Sequence, residues 1–89
     1  MGQVYQATSF QLGTEVVTIV LVAESAVATA EMAQRSFKAL QPYFGNSLLV
    51  LAYQSMNLAP QFVGPKHIVQ QLGGKRLADF RWQPVAITR

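Results

Sequence analysis

The stretch that decides the fold is residues 14–23, which read TEVVTIVLVA. After Glu15 it is apolar except for Thr18, and most of its residues are β-branched. Periodicity cannot separate a buried strand from a buried helix in so continuous an apolar stretch, but the short length and the branched side chains favour a strand. We therefore predict a central β-strand that is buried on both faces.

The segment before this strand, residues 4–12, alternates weakly between apolar and polar side chains. Such a half-polar pattern is typical of an exposed strand, and we predict that it forms an edge of the sheet. Leu12-Gly13-Thr14 predicts the tight turn between the two strands, because glycine adopts positive φ without a steric penalty.

The segment after the central strand predicts a helix. Ser25 is a candidate N-cap, and Pro42 disfavours helical geometry at the residue before it, so the helix should end near Gln41. Its apolar side chains recur at spacings of three and four: Val27, Ala30, Ala33, Phe37, Leu40 and Phe44. The apolar residues 47–53 then predict a second buried strand, parallel to the first in a right-handed βαβ unit.

The rest of the chain predicts a short antiparallel strand at residues 61–63 and a final strand at 84–88. Between them, Pro65 opens a second helix and Gly73-Gly74 ends it. Residues 75–81 fit a helix and a strand equally well. The fold class is therefore α+β, one domain over residues 1–89 in the order ββαββαβ. We expect a two-layer sandwich with a ferredoxin-like βαββαβ core, an extra N-terminal edge strand, and both helices on one face of a mixed sheet.

The composition narrows the functional classes. The 89 residues include no cysteine and one histidine, and 12% are charged. A disulfide framework and a thiolate metal site are excluded, and the apolar content argues against disorder. The longest apolar stretch is too short for a transmembrane helix. A secretory signal begins with basic residues, and this chain has none before Arg35. We expect a soluble, cytoplasmic protein with no membrane partner, cofactor or bound metal.

The titratable residues offer little for catalysis. The chain has four acidic residues, and no G-x-S-x-G motif accompanies its serines. Small-ligand binding or catalysis around Glu24, His67 and Asp79 is the least favoured hypothesis. A surface histidine on a short helix is the simpler interpretation of His67.

The charge is distributed unevenly along the chain. Residues 1–34 carry −3 and residues 35–89 carry +6, which suggests nucleic-acid or other polyanion binding as an alternative function. The RNA-recognition motif K/R-G-F/Y-G/A-F-V-x-F/Y is absent from residues 60–64. The candidate binding residues are Lys66, Lys75, Arg76, Arg81 and Trp82.

The hypothesis we favour is a small, non-enzymatic protein-interaction domain whose partner is another protein or a second copy of itself. An exposed edge strand has backbone N–H and C=O groups that are free to pair with another chain. The low content of charged residues also leaves a small domain with much apolar surface to cover. Self-association would use an edge strand or an apolar sheet surface. The candidate interface residues, which an internal core would fit equally well, are Tyr5, Phe10, Tyr53, Met56 and Phe62.

Overall fold

A computed structural model describes residues 3–54, 60–72 and 75–87 of the chain. The strands are β1 (Gln3–Leu12), β2 (Glu15–Leu21), β3 (Leu48–Tyr53), β4 (Gln61–Val63) and β5 (Gln83–Ile87). The helices are α1 (Ala30–Leu40) and α2 (Lys66–Leu72), and 3-10 turns cover Glu24–Val27, Gln41–Tyr43 and Leu77–Asp79. The predicted order ββαββαβ is confirmed, as are the α+β class and the mixed sheet.

The sheet has the strand order β4-β3-β2-β1-β5. β2 and β3 pair in parallel, as the βαβ prediction requires, and the other neighbouring strands pair antiparallel. Gly13, with φ of 65°, makes the turn between β1 and β2. The ferredoxin-like order is not observed, because that fold places another strand between the two strands of its first βαβ unit. Here β3 lies directly against β2.

The two helices lie on opposite faces of the sheet, so the predicted two-layer arrangement is wrong. Val20 and Leu51 belong to the core cluster on the α1 side, whereas Val17 and Val50 belong to the cluster with Ile68 of α2. All four strand residues are fully buried. The physical reason lies in the sequence of β2 and β3: strands that are apolar on both faces need a covering layer on each. The result is a three-layer molecule.

The first strand is not an edge, which is a second correction. β1 pairs with β2 on one side and with β5 on the other, and β5 and β4 form the two edges. The short β1–β2 turn brings β1 beside β2, and the last strand pairs with the other side of β1. Pro84 is tolerated in β5 because alternate N–H groups of an edge strand need no partner within the sheet.

The helix boundaries differ slightly from those predicted. Thr29, not Ser25, caps α1: its side chain accepts a hydrogen bond from the backbone N–H of Met32 at 3.1 Å, while Ser25 lies in the preceding 3-10 turn. The predicted end of α1 near Gln41 is confirmed. The predicted glycine stop of α2, at residues 73–74, lies outside the described residues. In the part of the chain that is described, neither helix has the length and apolar character needed to cross a membrane.

Candidate interaction surfaces

The outer part of the sheet, where β1 pairs with β5, has one face that neither described helix covers. We call residues 3–7 of β1 together with β5 the wing. Strand alternation places Val4 and Gln6 on the α2 side of the sheet, opposite Ala86 and Pro84 of β5. All four side chains are exposed, and Val4 is the most exposed large hydrophobic residue described, at 67%. We call these four residues the wing face.

The other side of the wing is partly covered. Tyr5 and Val85 pack against the core cluster on the α1 side, and Ala7 is buried there. A surface pocket of about 410 Å³ remains between α1 and the start of the wing. Its one hydroxyl from α1, that of Ser36, already donates to the carbonyl oxygen of Ala26 at 2.9 Å. The pocket is lined by Tyr5, Val22, Ala23, Ala26, Ser36, Ala39 and Leu40, and it is also bordered by Val4, although strand alternation directs the Val4 side chain to the other face of the sheet.

On its α2 side, the part of the sheet inside the wing is covered by α2 and by the segment 75–82. We call α2 and this segment together the basic layer. Phe80 anchors this segment: its ring stacks on Phe10 of β1 at a centroid distance of 5.7 Å and meets Phe62 of β4 edge-on at 6.3 Å. Trp82 meets Phe80 edge-on at 5.9 Å. The indole N–H of Trp82 donates to the carbonyl oxygen of Leu77 at 2.7 Å, which closes the segment into a compact loop.

The structure brings the predicted polyanion-binding residues into this one layer. Lys66, at the start of α2, is exposed, as are the three bases that follow the helix, and Trp82 is partly buried. The contacts between acidic and basic side chains of described residues are Arg35–Glu31 and His67–Glu15, so none of these four bases is paired with a described acid. The three bases that follow the helix are Lys75, Arg76 and Arg81.

Net charge follows the layers of the molecule. Residues 22–47, which form the α1 layer, hold Glu24, Glu31, Arg35 and Lys38 and sum to zero. The basic layer holds four bases and Asp79, which gives +3 with the histidine neutral. The strands contribute only Glu15, and the wing carries no charged residue. The uneven charge of the sequence is therefore an asymmetry between the two faces of the sheet.

The predicted interface residues do not share one surface. Phe10 and Phe62 lie under Phe80 on the α2 side, whereas Tyr5 packs on the α1 side. Tyr53 is partly buried at the end of β3, and Met56 lies outside the described residues. The residues of the wing face were not selected from the sequence. Val4 was visible as an apolar position in a half-polar strand, but its exposure depends on which strand lies beside β1.

The residues of the catalytic hypothesis are also dispersed. His67 Nε2 lies 3.3 Å from Glu15 Oε2 at the start of β2, whereas Glu24 lies beyond its other end, about 20 Å away along the strand. Asp79 is engaged locally, because its carboxylate accepts the backbone N–H of Arg76 at 2.8 Å. Within the described ranges, no three His, Asp or Glu side chains form a cluster suited to a metal ion.

Comparisons with models of protein families, with curated proteins and with solved structures found no match for this chain. The surfaces that stand out by their geometry are the wing face and the basic layer.

Proposed function

We propose that this protein is a non-enzymatic interaction domain that self-associates through the wing face. The observation that carries the proposal is the exposure of Val4, in an uncharged pair of strands, on a side that neither described helix covers. Val4 lies opposite the exposed Ala86, with the exposed Pro84 two residues along the same strand, so these apolar side chains are neighbours on the sheet. Contiguous apolar patches on a protein surface are typical of protein interfaces.

The charge distribution supports a second copy of the chain as the partner. A protein of net charge +3 repels its own copies, and the repulsion is smallest where the contacting surfaces carry no charge. The wing meets this condition, since residues 3–7 and 83–87 include no acid or base. A two-fold axis through the wing face would bring the same neutral patch of both copies together.

Packing through the face is favoured over pairing through the edge of β5. Pro84 has no N–H, so it removes one of the donors that a neighbouring strand would need. Proline on an edge strand also normally directs its nitrogen away from the sheet. The backbone of β5 is therefore a poor template for an added strand, whereas its exposed side chains remain available.

Sedimentation equilibrium from about 10 to about 500 μM would test the proposal, with Val4→Lys as the disrupting variant. We expect the wild type to form a dimer, and Val4→Lys to weaken it by at least about tenfold, because two like charges would meet at the axis. Val16→Lys is the matched control: Val16 is also a strand valine, 51% exposed, but it faces the α1 side and lies outside the wing. This control should leave the dimer intact.

The salt dependence of the dimer gives a second measurement. The dimer should strengthen with salt, because the basic layers that flank the wing face repel each other. A strict monomer at the highest concentration, or a dimer that Val4→Lys leaves as strong as that of the wild type, would refute the proposed contact.

A further inference from the structure

The basic layer has an excess of positive charge that the protein does not neutralise. Its only acid, Asp79, accepts a hydrogen bond from the backbone of Arg76, and none of its four bases is paired with a described acid. The carboxylate of Glu15 reaches this layer at His67, next to Lys66. Lys75, Arg76 and Arg81, on the loop closed by Trp82, are therefore the bases that remain for an external anion.

The loop also holds an aromatic ring in a defined position. The hydrogen bond from the indole of Trp82 to Leu77 and the contact with Phe80 fix the ring from two sides. Trp82 is only partly buried, and the residue before it in the chain, Arg81, is exposed. A fixed, partly exposed aromatic residue on the same loop as basic side chains without an acidic partner matches the way in which proteins bind single strands: nucleobases stack on the ring while phosphates contact Lys and Arg.

We infer that the basic layer binds single-stranded nucleic acid, with Trp82 as the stacking residue and Lys75, Arg76 and Arg81 as phosphate contacts. A double strand fits less well, because its bases are already stacked on one another. An acidic protein would use the charges but would leave the ring unused. This inference does not depend on self-association, because the wing face supplies none of these groups.

The test is a titration with an oligothymidylate of about 12 nucleotides at about 50 mM salt, followed by tryptophan fluorescence. Trp82 is the only tryptophan of the chain, so the signal comes from the proposed stacking residue itself. We expect saturable quenching and an affinity that falls as salt is added. A duplex of the same length should bind more weakly and quench less.

A pair of double variants separates local contacts from overall charge. Lys75→Gln/Arg76→Gln and Arg35→Gln/Lys38→Gln each remove two positive charges, the first pair from the basic layer and the second from exposed positions on α1. The first should weaken binding and lower the salt slope by about 1.4, since each phosphate contact contributes about 0.7 for single strands. The second should leave the slope unchanged.

Several results would overturn the inference. One is the absence of quenching at low salt, and another is an equal loss of affinity in both double variants, which would indicate a general charge effect. A duplex that binds and quenches as strongly as the single strand would exclude Trp82 as a stacking residue. Binding of an acidic peptide in preference to the oligonucleotide would assign the surface to protein contacts instead.

Discussion

The inner and outer parts of the sheet are built from different kinds of strand. β2 and β3 are covered on both faces and supply most of the fully buried side chains. The wing has one partly covered face and one exposed face. The two regions therefore contribute differently: β2 and β3 form the buried core of the sheet, whereas the half-polar strands of the wing keep one face exposed to solvent.

The largest expected effect comes from removing the cover of the inner strands. Ile68 of α2 is 1% exposed and packs against the cluster of Val17 and Val50. Ile68→Ala should lower the free energy of unfolding by about 4 kcal/mol, through lost burial and the cavity that remains. Urea denaturation measures this change.

Val4→Ala, in the wing, is the comparison variant and should change the unfolding free energy of the monomer by less than about 0.5 kcal/mol. Similar losses in both variants would remove the distinction between the two regions.

A smaller effect is expected at the boundary between the regions. Phe80 is partly buried and connects β1, β4 and Trp82 through its ring contacts. Phe80→Ala should destabilise the protein by about 2 kcal/mol, less than a fully buried aromatic, and shift the fluorescence of Trp82 to longer wavelength as its ring becomes solvated. An unchanged emission maximum in the folded variant would mean that Trp82 is held without Phe80.

The smallest effect should come from the side-chain contact between Glu15, at the start of β2, and His67, at the start of α2. Both side chains of the Glu15–His67 pair are largely exposed, and such pairs contribute little. Glu15→Gln should change the unfolding free energy by less than about 0.5 kcal/mol at neutral pH in a thermal or urea titration. Glu31→Gln, which removes the exposed Arg35 pair on α1, is the matched control. A loss above about 1 kcal/mol in Glu15→Gln alone would show that charge, and not apolar packing, attaches the basic layer.

The sequence predicted the elements of this fold well but not how they assemble. Residues 14–23 and 47–53 were identified as buried parallel strands because both are short and nearly continuously apolar, and the first is also rich in β-branched residues. The placement of α2 was predicted on the wrong face, although the strands themselves indicated that both faces needed cover. Ser25 was predicted as the cap, whereas Thr29 caps α1. Either hydroxyl can accept an N–H, and the 3-10 turn that contains Ser25 leaves little trace in the sequence.

For the candidate surfaces, too, the sequence showed the residues but not their arrangement. The four bases and Trp82 were visible in the sequence because charge and aromatic character belong to the residue itself. That they lie in one layer, with Arg35 and Lys38 on the opposite side, depends on the path of the chain across the sheet. Val4 could not be selected from the sequence, since its exposure follows from the pairing of β1 with a strand about 80 residues away.

The sequence by itself determined which segments are strands and helices, which strands need cover on both faces, and where the positive charge lies along the chain. These are local properties, set by side-chain type and spacing. The tertiary structure alone decided the strand order, the opposite placement of the helices and the exposure of the wing. The physical reason is that two apolar strands can be covered in several ways, and only the packing of the whole chain selects one of them.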